Sequence, residues 1–202
     1  MNYAIQSETC LFPYLEATSR KRATKHSLIH VDQGLVLVKL GKQEYAVEPN
    51  QAVWIPLDCL CSLTFFPNTQ ISRIDFSVRL RDTFPHQAGL VQHSALSLAV
   101  LERLRHSKRE DEVYPHLLQV LKTEVQNFEP KLRVTPFTQA LASWSATQHS
   151  GISKEQHLVL LVREAMKRRL SGGKEDAIVT ELFAGNNAQY QQMCQLVMGD
   201  AQ

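Results

Sequence analysis

Residues 26–78 read HSLIHVDQGLVLVKLGKQEYAVEPNQAVWIPLDCLCSLTFFPNTQISRIDFSV, which is a series of short apolar runs separated by turn-forming residues. Glycine and asparagine supply the positive φ angles of tight turns, and proline cannot donate to the interior of a β-ladder. Short strands with this punctuation predict an antiparallel β-sandwich or barrel. The turns are expected at Gly41-Lys42, Glu48-Pro49-Asn50, Pro56-Leu57-Asp58 and Pro67-Asn68-Thr69.

From about Ser94 onward the apolar residues recur at helical spacing. Ser94 is a candidate N-cap, and a second apolar stripe runs from Val113 to Val125. Thr135-Pro136 is expected to start a further helix, and Ser153 with Gln156 forms a capping-box pattern. We therefore predict an α+β chain in three parts: an antiparallel β-barrel over residues 1–92, linker helices over 93–134, and an all-helical domain over 135–202.

The chain has 202 residues and a formal net charge of +2, which is too small to indicate nucleic-acid binding by itself. No apolar run approaches the roughly 20 residues of a membrane span, and no secretory signal pattern is visible in the first twenty residues. We therefore expect a cytoplasmic protein without membrane contact. Its four cysteines, Cys10, Cys59, Cys61 and Cys194, are then expected to be reduced thiols.

Three segments of the strand region carry a family pattern. They are a histidine-containing strand that ends at a glycine (His26 to Gly34), an aromatic strand with a proline turn (Tyr45 to Pro49), and a small residue followed by an Ile-Pro pair (Ala52 to Pro56). Over roughly residues 20–105 the chain resembles the cupin barrel, and more specifically the N-terminal sensor domain of AraC-type transcription regulators. The resemblance implies a cupin-like barrel that senses a small-molecule effector, followed by helices that form a homodimer contact and bind DNA.

The candidate residues of a ligand pocket in the barrel are His26, His30, Trp54 and Cys61. Trp54 is either a core residue or the wall of the pocket. Cys61 stands where metal-binding cupins carry a histidine. His26 and His30 would lie about 13 Å apart along one strand, which does not suit a single tetrahedral metal. We therefore predict no metal, no cofactor and no catalytic residue, and an alternative reading as a metal-dependent cupin enzyme lacks the expected His-x-His pattern.

The two linker helices would carry the dimer contact that the resemblance implies. The residues expected in that contact are Leu96, Val100, Leu104, Leu117 and Leu121. An equally simple alternative is that both helices cover the apolar outside of the barrel.

The C-terminal helices carry the candidate DNA contacts. Arg163, Lys167, Arg168 and Arg169 form a basic face that suits phosphates, although the helix macrodipole alone would favour cations there. Residues 174–183, a turn over 184–187 and residues 188–198 follow the helix-turn-helix plan. In that plan Asn187, Gln189 and Gln191 are the candidates for reading base edges. Phe183, Tyr190 and Gly199 resemble part of the second helix-turn-helix unit of the family.

Residues 137–202 are too few for the two helix-turn-helix units of an AraC-type protein, and 191–197 carry no Lys or Arg. The leading hypothesis is a one-component regulator of this type with a shortened DNA-binding region. The alternative is a stand-alone cupin sensor or interaction protein that has lost DNA binding and acts through dimerisation.

Overall fold

The computed structural model describes residues 4–199, in which ten strands are followed by six helices. The strands are β1 (Ile5–Phe12), β2 (Glu16–Ala17), β3 (Lys21–Arg22), β4 (His26–Gln33), β5 (Val36–Leu40), β6 (Gln43–Val47), β7 (Ala52–Ile55), β8 (Leu60–Phe65), β9 (Thr69–Phe76) and β10 (Gly89–Val91). The helices are α1 (Ala95–His106), α2 (Val113–Gln126), α3 (Pro136–Ala142), α4 (Lys154–Leu170), α5 (Glu175–Phe183) and α6 (Asn187–Met198).

The strands form two antiparallel sheets. The first sheet has the order β1-β9-β4-β7-β10, and the second has the order β2-β8-β5-β6 with β3 also paired to β8. Within residues 4–199 no ladder joins the two sheets, so the expected closed barrel is corrected to a two-sheet sandwich. The physical reason is that β4 is paired on both edges within the first sheet, and β8 and β5 are paired within the second.

The space between the sheets is packed with apolar side chains. Ile29, Val53 and Ile71 from the first sheet meet Val38 and Phe65 from the second, and all are at most 3% exposed. Burial of these branched and aromatic side chains supplies most of the driving force for closing the sandwich. Its interior is therefore a core.

Each outer face of the sandwich is covered by helices. On the first sheet α1 and α2 bury a cluster that includes Trp54, Phe76, Leu101 and Leu121. On the second sheet Leu37, Ala46 and Phe66 pack against side chains of α3, α4 and α6. Strand β5 is buried on both faces, because Leu37 faces the helices and Val38 faces the sandwich interior.

The C-terminal helices also share a smaller core of their own. Leu161 and Ala165 of α4 pack there against α5 and against Tyr190 of α6. The capping box at Ser153 and Gln156 is present as predicted. Among the described residues, we find no helix that combines the length and the apolar character needed to span a membrane.

Candidate functional site

The four predicted pocket residues do not line one site. Trp54 is fully buried under the α1–α2 pair, and its indole Nε1 donates to the carbonyl oxygen of Pro85 at 2.9 Å. The ring centroid of His26 lies 5.6 Å from that of Trp54, and its Nδ1 accepts from the backbone N–H of Leu57 at 3.1 Å. Cys61 belongs instead to the apolar cluster between the sheets. Of the two alternatives for Trp54, the structure therefore favours the core residue.

Cys61 forms a hydrogen-bonded pair with Cys59. This hydrogen bond lowers the pKa of Cys59 to about 7 and, together with burial, raises the pKa of Cys61. Across residues 4–199 no group of three or more His, Cys, Asp or Glu side chains is arranged to hold a metal ion.

His30 is the predicted pocket residue that leads to a polar site. It is 3% exposed on the outer face of β4, where its Nδ1 lies 3.2 Å from Nε2 of His93. Nδ1 of His93 in turn lies 3.1 Å from the hydroxyl oxygen of Ser97 in the first turn of α1. On its other side, Nε2 of His30 lies 3.5 Å from Oδ1 of Asp32. We call Asp32, His30, His93 and Ser97 the histidine chain.

Burial keeps both imidazoles of the histidine chain neutral near pH 7. Desolvation, with a smaller contribution from the neighbouring His30, lowers the pKa of His93 to about 4. Desolvation also lowers the pKa of His30, and Arg105 acts in the same direction while Asp32 opposes it. Asp32 is held by the hydroxyl of Ser72 and by an ion pair with Arg105 of α1. The histidine chain is therefore a fixed polar connection between β4 and α1.

A cavity of about 610 Å³ lies beside His93. Its apolar walls come from β10, from α1 and from Phe128, the second residue after α2. Its polar walls come from the β6–β7 turn and from polar side chains of residues 127–135. The apolar lining residues are Leu90, Val91, Leu98 and Phe128; the amides are Asn50, Gln51 and Asn127; the charged residues are Glu129, Lys131 and Arg133. A volume in the range of 300–1,000 Å³ with a few convergent polar groups is typical of a small-molecule site.

Residues 127–135, which we call the connecting segment, join α2 to α3 and form one side of the cavity. Lys131 is clamped to β10, because its N–H donates to Leu90 at 2.9 Å and its carbonyl accepts from Leu90 at 3.0 Å. Gly89 permits this approach, since a Cβ there would lie 2.7 Å from the Lys131 nitrogen. The segment ends at Thr135, whose hydroxyl caps α3. A molecule in the cavity would thus touch the covalent link between the two helical layers.

The second candidate surface is the pair α5 and α6, joined by residues 184–186. Ala184 adopts the left-handed conformation with φ of 50°, and the rings of Phe183 and Tyr190 pack 5.0 Å apart behind the turn. On α6 the predicted base-reading residues Asn187, Gln189 and Gln191 are all exposed. The helices thus lie where the helix-turn-helix pattern predicts them, with exposed amide side chains along the N-terminal half of α6.

The C-terminal end of α6 is attached to the loop between β1 and β2. The carbonyl of Val197 accepts from the N–H of Leu15 at 2.8 Å, and Val197 is buried. A Cβ at Gly199 would lie 2.7 Å from the ring of Tyr14. The N-terminal half of α6 carries the exposed amides, while its last turn is hydrogen-bonded to the β1–β2 loop and packs against the sandwich.

The four predicted phosphate contacts have different surroundings. Both terminal nitrogens of Arg163 bind the carboxylate of Glu44 on β6, at 3.0 and 2.8 Å. Arg168 binds Glu164 at 3.0 Å and Glu181 at 2.5 Å. Arg163 and Arg168 therefore stabilise the fold in this conformation. Lys167 and Arg169 are exposed at the surface of α4, where Lys167 also lies 3.6 Å from the carboxylate of Glu164.

Most of the predicted dimer residues pack within the chain. Val100, Leu104 and Leu121 are at most 5% exposed in the cluster over the first sheet, and Leu117 packs partly against it. Leu96 is 52% exposed. The alternative that α1 and α2 cover the apolar outside of the sandwich accounts for all of these residues except Leu96.

Sequence reasoning missed His93, Lys131 and Arg133. His93 directly precedes the N-cap Ser94, so the sequence showed that it stands at the start of a helix. Nothing in the sequence indicated its contact with His30, 63 residues away. Lys131 and Arg133 alternate with apolar residues in a short segment that lacks helical spacing. This pattern gave no reason to place them beside β10. The pairing of β10 with β7 and the bridge between Leu90 and Lys131 bring these residues together.

No protein-family model and no curated protein matches this chain. Among solved structures it is similar to ToxT of Vibrio cholerae, an AraC-family regulator: the apo K231A variant is 8% identical over 99% of this chain and 96% of that chain, with a TM-score of 0.47. ToxT bound to (E)-4-(8-methylnaphthalen-1-yl)but-3-enoic acid is 12% identical over 98% and 97%, with a TM-score of 0.42. A cupin superfamily protein of Desulfitobacterium hafniense is 14% identical over 38% and 71%, with a TM-score of 0.35. At these identities and TM-scores, the comparisons identify no functional residue of this chain.

Proposed function

We propose that this chain is a one-component transcription regulator that binds double-stranded DNA through α6 and responds to a small-molecule effector. The observation that carries the proposal is the exposed, amide-bearing N-terminal half of α6, which follows a short turn whose inner side is packed. Asn187 and Gln191 lie one turn apart on the same face of α6, and the exposed Gln189 lies between them in sequence on another face. Asparagine and glutamine side chains can form two hydrogen bonds with the major-groove edge of adenine. The second helix of such a pair is the one that enters the groove.

The surface charges support modest phosphate binding. Lys167, Arg169 and Lys174 are exposed on or next to α4, whereas Arg163 is held by Glu44. Each phosphate contact contributes about −0.9 to the slope of log affinity against log salt, so two or three contacts give a slope of about −2 to −3. Binding by one copy is then weak, and a homodimer that spans half-sites one helical turn apart would provide the missing affinity.

The test is fluorescence anisotropy with random-sequence and genomic duplexes between about 50 and 200 mM salt, alongside sedimentation velocity to record the oligomeric state. The double variant Lys167→Gln/Arg169→Gln should weaken binding to all duplexes and flatten the salt slope. Gln191→Ala should instead reduce the preference between sequences. Lys42→Gln, in the exposed β5–β6 turn, is the matched charge control and should change neither. No binding at about 50 mM salt would refute the proposal.

A second candidate function is favoured by two specific contacts. The Arg163–Glu44 pair and the attachment of α6 to Leu15 both direct the C-terminal helices toward the sandwich. These contacts suit a stand-alone sensor that acts by dimerising, with the exposed Leu96 and Leu98 of α1 in the contact. In that case Leu96→Gln should lower self-association in sedimentation velocity, and the Lys167/Arg169 double variant should leave it unchanged. Self-association that is insensitive to Leu96 would exclude this contact.

A further inference from the structure

Building on the proposed function, we propose that the cavity beside His93 is the effector site and that its ligand is a small organic carboxylate with a compact apolar body. This site lies outside the sandwich, between β10, α1 and the connecting segment. The sandwich interior, where the sequence pattern placed the effector, is filled by apolar side chains.

The lining of the cavity matches the two parts of such a ligand. Leu90, Leu98 and Phe128 offer apolar surface on three sides, and removal of an apolar ligand group from water is favourable by about 25 cal/mol for each Å² buried. Asn50, Gln51 and Asn127 supply amide groups that orient a polar end. The lining is divided about evenly between apolar and polar surface, so it can take a ligand that has one apolar and one polar part.

The charge of the cavity decides the class of ligand. Lys131 already pairs with Glu129 at 3.1 Å, whereas no carboxylate of the described residues forms an ion pair with Arg133. An arginine guanidinium presents two parallel donors that match both oxygens of a carboxylate. Among the lining residues that the structure describes, Glu129 is the one acidic side chain, and it has its own partner, so an anionic ligand suits this lining better than a cationic one.

The histidine chain gives the site a fixed back wall. His93 faces the cavity and is positioned by His30 on one side and Ser97 on the other. As a neutral imidazole with both ring nitrogens engaged in the chain, His93 adds no positive charge and does not compete with Arg133 for the carboxylate. Its ring also packs edge-on against Phe128, with centroids 5.9 Å apart, which links this wall to the connecting segment.

The ligand would act on the connecting segment. A carboxylate bound to Arg133 adds a contact to a segment that is otherwise attached to β10 through Lys131 and Leu90. The segment continues into α3, which is tied to the second sheet where the hydroxyl of Thr138 accepts from the N–H of Ala46 at 3.1 Å. Binding therefore favours the arrangement in which α3 and the helices after it are held in place, and shifts the population toward it.

The experiment is isothermal titration of the full chain with three acids, benzoate, 4-phenylbutyrate and octanoate, each compared with its primary amide. At least one acid should bind at least tenfold more tightly than its amide. Arg133→Gln should reduce the affinity for that acid to the level of the amide. Arg103→Gln, which removes an exposed arginine from α1, is the matched control and should leave the affinity unchanged.

Equal affinity of every acid and its amide, or acid binding that survives Arg133→Gln, would overturn the assignment. Since the titration contains no DNA, its result is separate from the test of DNA binding. Acid binding in a chain that never binds DNA would keep the site and reject the regulator. Acid binding that leaves the DNA affinity of a DNA-binding chain unchanged would keep the site and reject its role as the effector site.

Discussion

The two helical layers are attached to the sandwich in different ways. The pair α1 and α2 shares one cluster with the first sheet, in which Trp54, Phe76 and Leu121 are completely inaccessible. On the other side, α3 and α4 pack on the second sheet, but α5 and most of α6 pack on α4 in a small separate core. The C-terminal part of α6 reaches the sandwich through the buried Val197. The first layer is thus part of the main core, whereas α5 and α6 add to the packing over the second sheet only one buried residue, Val197, among those described.

The largest effect should come from the first layer. Leu121→Ala truncates a side chain that is 0% exposed on the buried face of α2. Such truncations lower the free energy of unfolding by about 2–5 kcal/mol, through lost burial and the cavity that remains. Leu170→Ala, at a position 84% exposed at the end of α4, should change stability by less than about 0.5 kcal/mol. Urea unfolding of both variants measures the difference. Similar losses for the two would mean that α2 is not part of the core.

Acid should weaken the same layer through His93. Its pKa is lowered from 6.5 to about 4, mainly by burial, so between these values the unfolded chain binds a proton that the folded chain does not. The contribution of His93 to the free energy of unfolding is fully present above pH 6.5 and is lost as the pH falls toward 4. The loss is on the order of 3 kcal/mol. In urea unfolding at pH 7.5, 5 and 4, the free energy of unfolding of His93→Gln should fall less steeply with decreasing pH than that of the natural chain. Parallel pH profiles would contradict the assignment.

A smaller effect is expected where α4 meets the second sheet. Arg163 and Glu44 form a two-pronged ion pair, and their side chains are 22% and 23% exposed. A double-mutant cycle with Arg163→Ala and Glu44→Ala should give a coupling of about 1–2 kcal/mol, because the pair is partly shielded from water. A coupling below about 0.5 kcal/mol would show that α4 is held by its apolar contacts alone.

The local elements could be predicted because their signals lie within a few residues. Asn50, Asp58 and Asn68 all have positive φ angles at the expected turns, as does Gly41. The caps at Ser94, Thr135 and Ser153 stand at the predicted helix starts. Each of these features depends on one backbone conformation and on a side chain that stabilises it locally.

The arrangement of the sheets and of the site could not be predicted in the same way. Periodicity places Arg163 on the basic side of α4, but only the docking of α4 on β6 brings it to Glu44, 119 residues away. Likewise, His30 was expected to face the inside of a barrel, whereas it faces outward to His93 because β4 lies within the first sheet under α1. The proposed division into three parts stays a prediction, since the helices share their cores with the sheets.

Gly89 gives the outer cavity a property that its side chains alone would not. With no Cβ between β10 and Lys131, the distance between these two backbones is set by direct hydrogen bonds. The main chain therefore sets the separation of β10 and the connecting segment at this edge of the cavity, while the lining side chains set the rest of its shape and its chemistry. Gly89→Ala would act as a spacer, moving the connecting segment outward by a few tenths of an ångström or more and relaxing selection by ligand size. Selectivity for length and selectivity for charge could then be altered separately, the first at Gly89 and the second at Arg133.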